Sequence, residues 1–269
     1  MRASAYSECI AAAVRGKSQH GIVHSAFATA ANLLFANGFM LSLNTADAPR
    51  MPNGLQLSTS SDTSFLASLR PGTPVLLGAE RLVIEAVDCS LALSLCEQWN
   101  PHIERPEELD VEAVRRNGKR LVDYLATSHH FSWPSQEYIR ELRVSVDIST
   151  MAQYLCGRGN GLTPSGDDIL AGWMAVKWLL YGSTLAVREA CQQIMAVARK
   201  QTHILSQCWL GYAAAGNVAW PMKMLLEVMI QEDEAQLEQA VQRVLSMGAT
   251  SGYDILQGIL LGLADAKVA

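Results

Sequence analysis

Hydrophobic and polar positions change their period near residue 100. Up to there the apolar positions alternate or come in short runs separated by turn residues, as strands require. The first stretch is the exception: residues 4–16 carry a helical spacing and stop at Gly16, which predicts a short amphipathic helix. From His20 the pattern is extended. Residues 29–36 and 39–43 flank Asn37-Gly38 and predict a hairpin whose turn holds two positive-φ residues. Leu55-Gln-Leu-Ser58 alternates as an edge strand would, and Ser61-Asp62 is placed to cap a short helix ending at Arg70. A second hairpin is predicted over Pro74–Val87, turning near Gly78–Arg81.

Beyond Asn100-Pro101 the apolar residues recur every three to four positions. Leu109, Val114, Leu121 and Leu125 fit one helix containing Gly118, and Trp133-Pro134-Ser135 starts another. Further helices are predicted over 166–181 and near 184–200, 203–215, 221–231 and 234–247, with a last one beginning at Gly252. Short links at Gly182-Ser183, Gly216-Asn217 and Gly248-Ala249 favour a bundle. The expected fold class is α+β: an antiparallel β-rich, small barrel-like domain over residues 1–100 packed on a helical domain over 101–269.

Composition narrows the functional classes. In 269 residues, a hydrophobic content of 49% with 17% charged residues gives core enough for one large or two modest domains. The net charge of −5, without a basic block interleaved with aromatics, argues against nucleic acid or an anionic membrane as partner. Six scattered cysteines without a C-x-x-C pair point to reduced thiols and a cytoplasmic location. No signal peptide is evident, and the most apolar segment, 169–187, carries Lys177, read as a snorkelling side chain on a buried soluble helix rather than a membrane span.

The densest chemistry lies in Gly157-Arg-Gly-Asn-Gly-Leu-Thr-Pro-Ser-Gly-Asp-Asp168, directly before an apolar helix. Thr163 before Pro164 suits an N-cap and first helical position, while Ser165 with Asp168 has capping-box spacing and would start the helix two residues later. Either start leaves backbone N–H groups facing the glycine loop, a setting that attracts phosphate or carboxylate. Gly157, Gly159 and Gly161 permit close approach of backbone to ligand, and Arg158 and Asn160 between them can hydrogen-bond an anion or amide. Asp167 and Asp168 in the first turn stabilise the helix dipole by about 0.3–1 kcal/mol each. That explains one carboxylate well; the pair also suits a substrate N–H group or Mg²⁺.

The element returns: Ser165-Gly-Asp-Asp-Ile-Leu-Ala-Gly172 and Ser251-Gly-Tyr-Asp-Ile-Leu-Gln-Gly258 agree at six of eight positions. If the two helices cross at Gly172 and Gly258, their starts bring Asp168 and Asp254, with Ser251 and Gly252, to one cavity. The candidate catalytic residues are therefore Asp167, Asp168 and Asp254, and the candidate binding residues Arg158, Gly159, Asn160, Gly161, Thr163, Ser165, Gly166, Ser251 and Gly252. His24-Ser25 and His129-His130 lack metal-ligand spacing. Thr202-His203 and Ser206 either line a cavity or bond to the preceding turn of their helix. No Walker, Rossmann or nucleophile-elbow motif occurs.

The segment from Gly159 to Gly172 resembles the signature of a bacterial family that includes the H subunit of oxamate carbamoyltransferase. Val23-His-Ser-Ala-Phe27 with Ala31-Asn-Leu-Leu34, Thr202-x-x-x-Ser206 with Ala213-Ala-Ala-Gly216, and Gly248-Ala-Thr-Ser-Gly-Tyr-Asp254 are similar to its other blocks. Ala249 stands where that family usually has histidine. The resemblance implies a cytosolic subunit of a carbamoyltransferase in allantoin and purine nitrogen catabolism. Its partners would be an acyl-CoA-synthetase-like protein and a third subunit, its reaction the conversion of oxalurate and phosphate to oxamate and carbamoyl phosphate. Two other classes stay open: a non-catalytic assembly subunit that docks the synthetase-like partner, and a stand-alone magnesium-dependent hydrolase of a ureido or N-glycosidic bond.

Overall fold

A computed structural model of the chain describes residues 2–58, 63–127, 147–231 and 233–264. The expected features at Ser61-Asp62, His129-His130 and Trp133-Pro134-Ser135 lie outside these residues. The chain divides into two compact units, Met1–Pro101 and His102–Ala269, and its class is α+β.

The first unit is a nine-stranded sheet curled into a half-barrel, in the order β8-β7-β6-β2-β3-β4-β5-β1-β9. The strands are β1 (Ala3–Ser7), β2 (Gln19–Ala26), β3 (Ala30–Phe35), β4 (Met40–Asn44), β5 (Gly54–Leu57), β6 (Pro74–Gly78), β7 (Arg81–Ile84), β8 (Cys89–Ala92) and β9 (Glu97–Trp99). Most neighbours are antiparallel; β4 with β5 and β1 with β9 are parallel. Alternation sets the register: Leu33 pairs with Leu41 and Ala31 with Leu43, so their side chains share one buried face with Leu55, Leu57 and Leu77. Helices α1 (Ala11–Arg15) and α2 (Thr63–Ser68) contribute Val14 and Leu66 to the same core.

Three local expectations are corrected here. Residues 4–16 are not one helix. Ala3–Ser7 is a strand, because pairing on both sides, with β5 and β9, outweighs the weak helical spacing of an alanine-rich stretch. The helical stop at Gly16 does hold, its N–H donating to the Ala12 carbonyl at 2.9 Å. Leu55–Leu57 is an interior strand rather than an edge. At the Asn37-Gly38 turn only Gly38 takes positive φ, 79°. Asn37 Oδ1 instead accepts the Phe39 N–H at 3.0 Å, and Gly38 N–H donates to the Phe35 carbonyl at 2.9 Å, closing a three-residue loop. The two-residue turn with paired positive φ lies in the next hairpin, at Ala79 (49°) and Glu80 (57°).

The second unit is helical: α3 (Val111–Thr127), α4 (Ile148–Leu155), α5 (Ser165–Tyr181), α6 (Leu185–Gln201), α7 (Ile204–Ala214), α8 (Trp220–Met229), α9 (Glu234–Leu245) and α10 (Ser251–Ala264). Side-chain oxygens of Asp147, Thr184 and Asp233 cap α4, α6 and α9 by accepting backbone N–H groups three residues on. Asn117 of α3 donates to the Met229 and Gln231 carbonyls at the end of α8, at 3.0 and 2.7 Å. Helix α5 is the centre of the unit. Fourteen of its seventeen residues are buried, so it has neighbours on all sides instead of a single apolar stripe. Lys177 is among them and does not snorkel: fully buried, it holds its Nζ 5.3 Å from the Trp173 ring centroid and 5.5 Å from that of Tyr181.

Candidate ligand site at two helix starts

Helices α5 and α10 cross where both carry glycine. A Cβ on Gly172 would lie 2.1 Å from the Ile255 carbonyl oxygen, and one on Gly258 would lie 2.0 Å from that of Ile169. Ile169 and Ile255 hold the same place in the repeated octapeptide, so the two contacts are equivalent under a local two-fold relation. The preceding turns repeat it: Gly166 sits against the Leu155 carbonyl at the end of α4, and Gly252 against the Val244 carbonyl in α9. Further along, Gly262 meets Trp173 and Val176, so the helices run parallel and start at the same end. Only glycine admits backbones this close.

At that end the Thr163 and Ser251 hydroxyls lie 3.0 Å apart, and both hydrogen-bond Asp168. Thr163 is thus not the N-cap. Pro164 holds that position without a side-chain bond, and Ser165 is the first helical residue, so the capping box between Ser165 and Asp168 does not form either. The glycine loop folds back over this start. Gly157, Gly159 and Gly161 take φ of 70°, 114° and 98°, and a Cβ on Gly159 would lie 2.6 Å from the Ser165 nitrogen. Gly166 N–H donates to the Arg158 carbonyl at 2.9 Å, and the Asp167 and Asp168 amides both donate to the Pro164 carbonyl. The chain itself therefore engages these amides of the helix start, and residues 158–162 form an exposed tip. The Arg158 guanidinium lies over the Tyr154 ring, 4.7 Å from its centroid.

The adjacent aspartates have different surroundings, as successive positions on a helix must. Asp167 accepts from Gly157 N–H at 2.8 Å through Oδ1, and from the Thr202 and Ser206 hydroxyls, each at 2.5 Å, through Oδ2. The hydroxyls of Thr202 and Ser206 thus reach across to Asp167. Asp168 is buried, and its Oδ2 has no hydrogen-bond partner among the described residues. Burial raises its carboxyl well above the ordinary carboxylate range; the Ser251 and Thr163 hydroxyls offset part of the rise, and nearby Asp254 and Asp167 add to it. Asp254, on the second helix start, is fully buried.

Of the residues singled out in the sequence, Thr163, Asp168, Ser251 and Asp254 come together. Ser165, Gly159, Gly166 and Gly252 build the backbone around them. Arg158, Asn160 and Gly161 stand on the exposed tip. Asp167 faces the joint between α6 and α7, where the Thr202 and Ser206 hydroxyls bond its carboxyl rather than the preceding turn of their helix. Among the described residues, no group of three or more His, Cys, Asp or Glu side chains is placed to hold a metal ion. Mg²⁺ takes several oxygen ligands, and the described side chains do not gather such a set.

Two family models match the chain: the AllH family N-terminal domain over residues 2–98, and oxamate carbamoyltransferase subunit AllH over residues 155–263. Together they take in most of the sequence, and the chain belongs to the AllH family. The family's description as a subunit implies other subunits. No solved structure matches the chain. Among the described residues, no helix is long and apolar enough to cross a membrane.

Proposed function

We propose that the chain is the subunit of a cytoplasmic oxamate carbamoyltransferase that binds the carbamoyl group at the α5–α10 start. The observation carrying this reading is the buried Asp168 carboxyl, hydrogen-bonded by the Thr163 and Ser251 hydroxyls while its Oδ2 has no hydrogen-bond partner among the described residues. A neutral carboxyl can give one hydrogen bond and accept another, which matches the carbonyl and N–H groups of a ureido substrate. In the reaction, a phosphate oxygen attacks the ureido carbonyl carbon of oxalurate and the carbon–nitrogen bond breaks. The phosphate proton passes to the departing oxamate nitrogen, leaving carbamoyl phosphate. Asp168 would donate to the carbonyl oxygen as charge develops there, with Thr163 and Ser251 orienting it and Asp254 assisting. Phosphate would lie at the exposed tip, against Arg158, Asn160 and the amides of Gly159 and Gly161. An acyl-CoA-synthetase-like protein and a third subunit would complete the enzyme, in allantoin nitrogen catabolism.

In the assembled enzyme, Asp168→Ala should lower carbamoyl transfer about a hundredfold, as loss of a charge-stabilising donor does. Full activity in a normally assembled variant would overturn the reading. A second reading, a non-catalytic assembly subunit, draws on the engagement of Gly166 N–H by the chain's own Arg158 carbonyl. Calorimetry of the chain with phosphate, carbamoyl phosphate and oxamate separates the two, since an assembly subunit gives no heat with any of them.

A further inference from the structure

The Asp167 contacts carry a role of their own. Its carboxyl is 2% exposed and spans two segments: Oδ1 takes the Gly157 N–H at the base of the glycine loop, and Oδ2 takes the hydroxyls of Thr202 and Ser206. Thr202 ends α6, and Ser206 lies in the first turn of α7. Packing reinforces the link. A Cβ on Gly157 would lie 2.2 Å from the Gln201 carbonyl oxygen and 3.4 Å from the Thr202 Cα, so the base of the loop rests on the same joint. Gln207 Nε2 holds that joint through the Thr202 carbonyl at 2.7 Å. Past the base, residues 158–162 are exposed until the chain returns at Thr163.

We propose that Asp167, Thr202 and Ser206 form a latch that fixes the Gly157–Thr163 loop in its ligand-ready shape, making all three positioning residues rather than reacting groups. The latch rests on the functional reading only for what the loop holds, an anionic phosphate group. The geometry it imposes belongs to the free protein. A loop already ordered before binding spares the ligand the cost of ordering it, so the latch governs affinity more than the chemical step. It also links the loop to the α6–α7 joint, so a partner that pressed on Thr202 would alter the loop without touching it.

The test compares wild type, the double variant Thr202→Ala/Ser206→Ala, and the conservative exchange Thr202→Ser/Ser206→Thr, which keeps both hydroxyls. Amide hydrogen exchange on the full chain without ligand should quicken about tenfold in the alanine variant at Gly157 and Arg158, the loop-base amides held by Asp167 and the Leu155 carbonyl, as loss of the two hydroxyl hydrogen bonds beside them predicts. Exchange in α5 and α10 should stay as in wild type, and the conservative variant should restore slow exchange in the loop. In the assembled enzyme the alanine variant should raise KM for phosphate about tenfold and leave kcat within twofold, the signature of lost binding rather than lost chemistry. Unchanged loop exchange in the alanine variant would overturn the latch. So would equal acceleration throughout the helical unit, or a conservative variant as impaired as the alanine one. A wild-type complex without carbamoyl transfer would overturn the functional reading instead, and the exchange comparison alone would then decide the latch.

Discussion

Replacing Gly258 by alanine tests the helix crossing on which the site depends. The added Cβ would lie 2.0 Å from the Ile169 carbonyl oxygen, 2.8 Å from its carbon and 2.9 Å from its Cα, all backbone atoms that no rotamer change can move. Ordinary contact begins near 3.4 Å, so α5 and α10 must part by about 1.4 Å along that line. Overpacking of this kind costs about 3 kcal/mol at the upper end of its usual range. Alanine returns about 1 kcal/mol through its better helix propensity. The net loss of about 2 kcal/mol corresponds to a melting temperature lower by about 4–8 °C for a unit of this size. Far-ultraviolet circular dichroism of the full chain reads it, since the helices dominate that signal. Gly172→Ala should behave alike, with its Cβ 2.1 Å from the Ile255 carbonyl oxygen. The double variant should fall short of the sum, because one separation of the helices accommodates both methyl groups. A single variant melting at or above wild type, or a strictly additive double, would refute the two-fold crossing.

Two further outcomes are expected. Asp168 titrates above its unfolded value, so its contribution to stability is complete below the unfolded value of about 3.9 and is lost as pH rises through the higher folded value. The melting temperature of Asp168→Asn relative to wild type should therefore climb between pH 4 and pH 8; a flat or falling difference in parallel thermal melts would contradict the assignment. In the sheet unit, Glu80 holds a left-handed φ of 57° in a two-residue turn, so Glu80→Gly should stabilise the protein by about 0.5 kcal/mol in urea titration. Any loss of stability there would show that the turn tolerates the side chain.

The change of period near residue 100 was legible because it follows from local geometry, with alternation before and helical spacing after. Helix stops at Gly16 and Gly182, and the repeated Ser-Gly-x-Asp starts, were legible for the same reason. What escaped depends on partners distant in sequence. Ala3–Ser7 becomes a strand only through β5 and β9, some fifty and ninety residues away. Ala79 and Glu80 adopt a turn that their own residue types disfavour, since the flanking strands impose it. Lys177 looked like a surface charge because the sequence cannot show that α5 is enclosed on all sides. The two aspartates read as a pair, yet adjacent helical positions point about 100° apart, sending Asp167 to α7 and Asp168 to α10.

The order in which the chain is made gives the parallel α5–α10 pair a further consequence. During synthesis the start of α5, Ser165, emerges 86 residues ahead of the start of α10, Ser251, the last helix among those described. Until α10 leaves the ribosome, Ile169, Trp173 and Val176 lack the cover of its glycines, and the glycine seam has nothing to close against. Completion of the helical unit is therefore a late, all-at-once event in the life of a nascent chain. A translation product cut short before α10 would leave its central helix open to chaperones and to aggregation.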